Sequence, residues 1–325
     1  MSWSKNIVLA FDTSNYTTSV AAIDEQRTVI LDIRKGLEVK SGERGLRQSE
    51  ALFQHIKNLP GMVEQVFQQI DPASLCAVAV SNKPRPVDGS YMPVFLGGEG
   101  YARTIASARN IPLSFFSHQE GHLEAAKYGT SLECECTPFF AYHLSGGTCE
   151  LLFVTDTAIE IIGGTKDISF GQLLDRAGVA AGYSFPAGSA LDAIAQTEKC
   201  ISEETEKNPF KPIALDGLYF NVSGLESQFM RLLDSASGEA ERNRLIYWLF
   251  ETISDCLIRL TILASRERNY RHVLFSGGVS SSIFVRNRLE EKLSDFHIDP
   301  VFGDPHLSSD NAVGIALLGG RKQWR

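Results

Sequence analysis

Two β-meanders about 130 residues apart, each with a polar hairpin tip, predict an α/β protein of two lobes built twice on a βββαβα plan. The length agrees, because 325 residues are long for one core, and two lobes of about 150 residues each are the ordinary solution. Strong helical periodicity between and after the meanders supplies the helices that would cover the sheets.

In the first meander, residues 7–11 are an apolar run, Asp12-Thr13-Ser14-Asn15-Tyr16-Thr17-Thr18 is turn-rich, and 19–23 is apolar again. A turn at Asp24-Glu25-Gln26 leads to a third run at 28–33. The second meander repeats this: a strand at 139–144, the tip Ser145-Gly146-Gly147-Thr148, a return at 150–154, a turn at Thr155-Asp156-Thr157 and a strand at 158–162. A third unit, residues 273–275 followed by Ser276-Gly277-Gly278-Val279-Ser280, reads as a strand entering a glycine turn and a helix. Helices are expected over 49–70, 100–108, 241–266, 283–293 and 311–318. Residues 130–138 form the crossover, so the lobes are assigned to 1–135 and 136–325, and polar residues 199–212 form a surface insertion.

Hydrophobic content of 43% and charged content of 22% describe an ordinary globular chain. No uncharged apolar window of about 18 residues occurs, and the first residues lack a signal-peptide shape, so no membrane partner and a cytoplasmic location are expected. The six cysteines are Cys76, Cys134, Cys136, Cys149, Cys200 and Cys256. Their one close pair is Cys-x-Cys, too tight for a structural zinc knuckle, and free thiols are expected. The net charge of −8 argues against an unaided grip on nucleic acid. Residues 34–47 carry the densest basic charge and read as a solvated loop, so any RNA would be held with the help of partner proteins.

His118-Gln119-Glu120-Gly121-His122 places two histidines four apart. On a helix both imidazoles share a face and can bind one metal ion; two partly exposed helix residues are the plainer alternative. The glutamate sits one position late for a zincin. Two Ser/Thr/Gly hairpins facing one another across a cleft would suit a polyphosphate, as in the actin and sugar-kinase class of nucleotide-binding folds. No P-loop, G-x-G-x-x-G or G-x-S-x-G elbow occurs. Asp175 and Asp192 could accept hydrogen bonds from ribose, or be a surface acid and a helix cap. Asp310 is either a helix cap or an oxygen ligand.

These motifs taken in order resemble the universal tRNA threonylcarbamoyladenosine transferase family, formerly called O-sialoglycoprotein endopeptidase or glycoprotease. The likeness runs through Asp12-Thr13-Ser14, His118-x-x-x-His122, Leu144-Ser145-Gly146-Gly147, the segment 171–192, Val222-Ser223-Gly224-Leu225, Phe275-Ser276-Gly277-Gly278-Val279-Ser280 and Ser309-Asp310-Asn311-Ala312. It implies a two-lobed actin-like fold and a divalent metal, Fe or Zn, on His118, His122 and Asp310. His143, near where some relatives place a tyrosine, is a fourth candidate ligand. It implies that Thr13, Ser14, Ser145, Gly146, Gly147, Asp175, Gly188, Asp192, Gly277, Gly278 and Ser282 line the site of ATP, ADP or threonylcarbamoyl-adenylate. The implied reaction transfers threonylcarbamoyl from its adenylate to N6 of an adenosine in the tRNA anticodon loop. A homodimer or heterodimer through the N-terminal lobe is the expected assembly.

Three departures mark a divergent paralogue. Asn15-Tyr16-Thr17-Thr18 stands where the family has Cys-Asp-Glu-Thr, Ser282 replaces an asparagine, and Lys83-Pro84-Arg85-Pro86 replaces a Gly-Pro-Gly turn. A non-catalytic nucleotide-binding partner is therefore the second reading. Metallopeptidase is a distant third, because no residue is placed as a zincin base.

Overall fold

The computed structural model describes residues 6–14, 16–39, 46–133, 138–155, 158–202 and 207–324. Asn15, the Cys134–Cys136 pair, the Asp156–Thr157 turn and residues 40–45 of the basic segment lie outside the described residues. The chain forms two compact units, one of residues up to Tyr128 together with those from His306 onward, the other Gly129–Pro305.

The first unit runs β1 (Ile7–Asp12), β2 (Thr17–Ile23), β3 (Val29–Gly36), α1 (Gln48–Gln69), β4 (Leu75–Lys83), α2 (Phe95–Arg109), β5 (Leu113–Ser117) and α3 (His118–Lys127). The second runs β6 (Phe139–Leu144), β7 (Cys149–Val154), β8 (Ile159–Thr165), α4 (Phe170–Ala180), α5 (Gly188–Ser202), β9 (Leu215–Asp216) and β10 (Tyr219–Phe220). It continues through α6 (Ser223–Ser235), α7 (Glu239–Arg268), β11 (His272–Ser276), α8 (Ile283–Ser294) and β12 (Asp299–Phe302), and α9 (Val313–Gln323) ends the chain.

The expected duplication is plain in the sheets. The first has the order β3-β2-β1-β4-β5 and the second β12-β11-β6-β7-β8-β10-β9. In each, an antiparallel meander is extended by two parallel strands laid beside its first strand. The second sheet adds the short β9–β10 pair on its far edge, which the sequence reading did not anticipate.

Burial follows from alternation along β1. Successive side chains of a strand point to opposite faces. Ile7, Leu9 and Phe11 meet Leu59, Met62 and Ala102 of α1 and α2. Val8 and Ala10 meet Val313, Ala316 and Leu317 of α9. A strand apolar from Ile7 to Phe11 is thus covered on both faces. This also explains where the chain divides. A single boundary at 135–136 puts the last helix in the second lobe, but the apolar face of α9 lies on the first sheet.

The polar insertion expected at 199–212 is revised as well. α5 continues to Ser202, and Phe210 is buried in the core of the second unit, anchoring the chain after the helix. Among the described residues no helix is long and apolar enough to cross a membrane.

Asp167 ties the end of β8 to α6. Its carboxylate accepts from Ile168 N at 2.7 Å, Val222 N at 2.8 Å and Ser223 N at 3.0 Å. Burial alone would raise its pKa, but the hydrogen bonds from Ser223, Val222 and Ile168 outweigh it and hold the group well below the usual carboxylate range. A folded pKa below the unfolded one gives stability that is present at neutral pH and is lost as pH falls through the folded value. Asp167→Asn should lower the melting temperature at pH 7 by about 2–4 °C. The difference from wild type should begin to shrink below about pH 4, where the carboxylate of the unfolded chain protonates, and should close only as pH falls toward the much lower folded value, in melts followed by circular dichroism.

Candidate functional site

In the first unit, β1, β4 and β5 are parallel and end on the same edge. Ligand sites of open α/β sheets lie at that edge. β1 delivers Asp12-Thr13-Ser14 there, and β5 passes directly into α3 at His118. Ser117 caps the helix in a capping box. Its Oγ accepts from Glu120 N at 3.2 Å, while Glu120 Oε2 accepts from Ser117 N at 2.6 Å. Glu120 is therefore held at the helix start, which removes it as a water-activating base. The histidines belong to the helix itself, one full turn apart, with ring centroids 4.2 Å apart and edge-on.

Asp310 meets them from almost two hundred residues away in sequence. Its Oδ1 lies 3.6 Å from His118 Nε2 and 3.4 Å from His122 Nε2. One ligand atom from each of the three residues falls within 4.8 Å of the others. Two imidazoles and a carboxylate converging on a half-buried point suit Zn or Fe, and leave further coordination positions open.

Two devices place Asp310. Buried Asn311 donates to Leu307 O at 3.0 Å and Ser309 O at 2.8 Å, and its Oδ1 accepts from Val313 N at 3.0 Å, so it folds the loop and starts α9. Arg34 of β3 donates to His306 O at 2.8 Å and Ser309 Oγ at 3.0 Å. The helices then meet backbone to backbone. A Cβ on Gly314 would lie 1.8 Å from Gly121 O, and one on Gly121 would lie 2.7 Å from Ile315 Cδ1.

Behind the histidines lies a residue the sequence reading did not single out. Asp12 is 1% exposed, and its Oδ2 is 2.8 Å from His118 Nδ1. Ser14 Oγ lies 2.8 Å from the same nitrogen, and Ser14 N donates to Asp12 Oδ1 at 2.8 Å. Burial would depress the His118 pKa, but the Asp12 charge and hydrogen bond, with Asp310 behind them, raise it to about 10. Asp12 is held below its ordinary value: burial pushes it up, and His118 and Ser14 pull it down further. Asp310 is likewise lowered by both histidines against the effect of burial. An acid closing an apolar strand at the ligand edge of a parallel sheet was the available signal.

Thr13 does a different task from the phosphate contact expected of it. Its Oγ1 donates to Val94 O at 2.9 Å and accepts from Gly98 N at 3.0 Å, seating the first turn of α2.

In the second unit, a cavity of about 300 Å³ is lined by Gly146, Asp175, Gly188, Asp192, Gly278 and Ser282, six of the expected nucleotide positions. Leu174, Pro186, Phe250 and Val279 give it an apolar wall, and the size suits a small ligand. Gly171 lets α4 approach the β6–β7 tip, since a Cβ there would lie 2.5 Å from Ser145 O. Gly277 has φ +93°, and a Cβ there would lie 2.4 Å from Leu144 O. Both positions need glycine to keep the tip and the β11 turn in place. Ser145 Oγ closes its own turn by accepting from Thr148 N at 3.0 Å. Ser145, Gly147 and Gly277 shape the wall and are not on it.

The two acids differ. Asp175 Oδ1 accepts from Ala187 N at 2.9 Å at the cavity wall. Asp192 is committed to α8: it accepts from Ser282 Oγ, from Ile283 N at 3.1 Å, from Phe284 N at 3.2 Å and from Gln196 Nε2 at 2.9 Å. His143 lies in the second unit, on β6 opposite Glu150, and is not in the three-residue group.

Residues 37–317 match the family model described as tRNA N6-adenosine threonylcarbamoyltransferase. The chain belongs to that family. A relative from Limosilactobacillus reuteri (strain DSM 20016), named tRNA N6-adenosine threonylcarbamoyltransferase, is 31% identical over 97% of this chain and 91% of its own length. Among solved structures, component A of (R)-2-hydroxyglutaryl-CoA dehydratase from Acidaminococcus fermentans is 13% identical, with TM-score 0.56 over 98% of this chain and 99% of that one. A putative N-acetylmannosamine kinase from Listeria monocytogenes is 13% identical, with TM-score 0.50 over 98% of this chain and 100% of that one. At that identity the structures speak to the fold alone, and the fold is the expected actin-like, sugar-kinase α/β class. The family match begins after the first meander, beyond the tip where this chain carries Tyr16 and Thr17.

If the α3–α9 contact sets the metal geometry, Gly314→Ala should cost about 1–3 kcal/mol of stability. It should also weaken Zn binding, measured by competition with a chromophoric chelator, because Asp310 is displaced with the start of α9.

Proposed function

We propose that this chain is a metal-dependent threonylcarbamoyl transferase acting on N6 of adenosine in the tRNA anticodon loop. The observation that carries the reading is the convergence of His118, His122 and Asp310 on one point in a chain of this family. His118 Nε2, His122 Nε2 and Asp310 Oδ1 would hold a divalent ion, Fe or Zn. Bound there, the ion would supply Lewis-acid polarisation of a donor oxygen.

The cavity of the second unit would take the adenylate portion of the donor, or ATP or ADP. Asp175 is positioned on its wall for a ribose hydroxyl, while the glycines at 146, 188 and 278 leave backbone open to phosphate. Asp192 and Ser282 support that wall by fixing the start of α8. In the transfer, the N6 amine of the acceptor attacks the carbamoyl carbon. The new C–N bond forms as the C–O bond to AMP breaks, and the amine proton is released. Holding donor and acceptor in place supplies much of the rate.

The acidic chain would need partner proteins to retain tRNA. Exposed Phe53 and Ile56 on α1 and Leu96 on α2 support an assembly through the N-terminal unit. A cytoplasmic location agrees with this substrate.

The test is nucleoside mass spectrometry of unmodified tRNA incubated with the metal-loaded protein and threonylcarbamoyl-adenylate. The modified adenosine should appear, and His118→Ala and Asp310→Ala should each lower its rate at least about 100-fold. Nucleotide binding with no modified nucleoside, with partners present, would favour a regulatory or scaffold role instead.

A further inference from the structure

Asp12 and Ser14 both contact His118 Nδ1 at 2.8 Å, and Asp12 lies on the opposite side of the ring from Asp310. Its Oδ2 is 2.8 Å from Nδ1, whereas Asp310 Oδ1 faces Nε2. Ser14 N pins the carboxylate through Oδ1 and Ser14 Oγ meets the same ring nitrogen, so Asp12 cannot turn away. A carboxylate only accepts hydrogen bonds, so Nδ1 must carry the proton. A metal ion that displaces the second proton then finds the ring's lone pair on Nε2, the nitrogen facing Asp310.

We infer that Asp12 is a positioning residue that fixes the tautomer and orientation of His118, so that Nε2 is the ligand atom. This rests on the metal reading of His118, His122 and Asp310. Carboxylates behind ligating histidines act in this way in other metal sites, and their removal typically weakens metal binding by about 10–100-fold. The arrangement also gives the altered first hairpin a retained purpose. Tyr16 and Thr17 have replaced the family's acids, but the aspartate at the end of β1 remains where the metal site needs it.

Asp12→Asn is the discriminating variant. It keeps the shape and can still accept from Ser14 N, but it turns an N–H toward Nδ1 and so places the imidazole proton on Nε2, the ligand atom. Zn affinity measured by chelator competition should fall about 10–100-fold, with one ion still bound at saturation. The visible spectrum of the Co-substituted protein should change, and the circular dichroism should not. Unchanged Zn affinity and an unchanged Co spectrum would overturn the inference while leaving the metal reading intact; a wild type that binds no metal would overturn both. Should the variant not fold, ¹⁵N-labelled histidine in Zn-loaded wild-type protein decides the matter. Proton attached to Nδ1 of His118 and metal on Nε2 supports the inference, and the reverse assignment overturns it.

Discussion

The contact between α3 and α9 at Gly121 and Gly314 is the constraint on which the site depends. Gly314 lies against the Gly121 backbone and the Ile315 side chain packs over Gly121, so any side chain larger than hydrogen at either glycine would push the helices apart. One helix carries both histidines in its first turns and the other begins just after Asp310. Their distance thus decides whether the three ligand atoms converge. The apolar face of α9 against β1 and β4 holds it there, and the buried amide of Asn311 sets the loop that presents the carboxylate.

Buried and part-buried polar groups surround the point where His118, His122 and Asp310 converge. Asp12 and Ser14 hold one edge of His118, Glu120 and Ser117 lock the start of its helix, and Arg34 braces the loop before Asp310. Each of these groups makes hydrogen bonds to protein, which offsets the desolvation cost of those that are buried. The capping box also accounts for the mismatch with zincins. The glutamate of the motif is part of the helix start, so the three residues that could hold a metal have no zincin-type glutamate base from this motif beside them.

Much of this could be read from the amino-acid order. The two meanders, the second nearly to the residue, follow from apolar runs broken by polar tips; the i, i+4 spacing of His118 and His122 suits a helix, but α3 and its Ser117 cap were not among the expected elements. The glycines at 146, 188 and 278, expected on the nucleotide site from the resemblance, line one cavity. What was not legible depended on tertiary partners. α9 reads as the end of the second lobe because its face is apolar whichever sheet covers it. Asp192 reads either as a partner of ribose or as a helix cap, and its bonds to the N-terminus of α8, ninety residues on, could not be read from the sequence. Thr13 reads as part of a phosphate loop, but Val94 and Gly98 take its hydroxyl. Asp12 was passed over because an acid ending a strand has many ordinary uses, and only the distance to His118 separates this one from the rest.

The central claim is that His118, His122 and Asp310 form one metal centre. Crystals grown with Zn and measured at and below its absorption edge test it directly. The account predicts a single strong anomalous peak in this unit, about 2.0–2.2 Å from His118 Nε2, His122 Nε2 and Asp310 Oδ1. No peak at that point, or one coordinated by other residues, would contradict it.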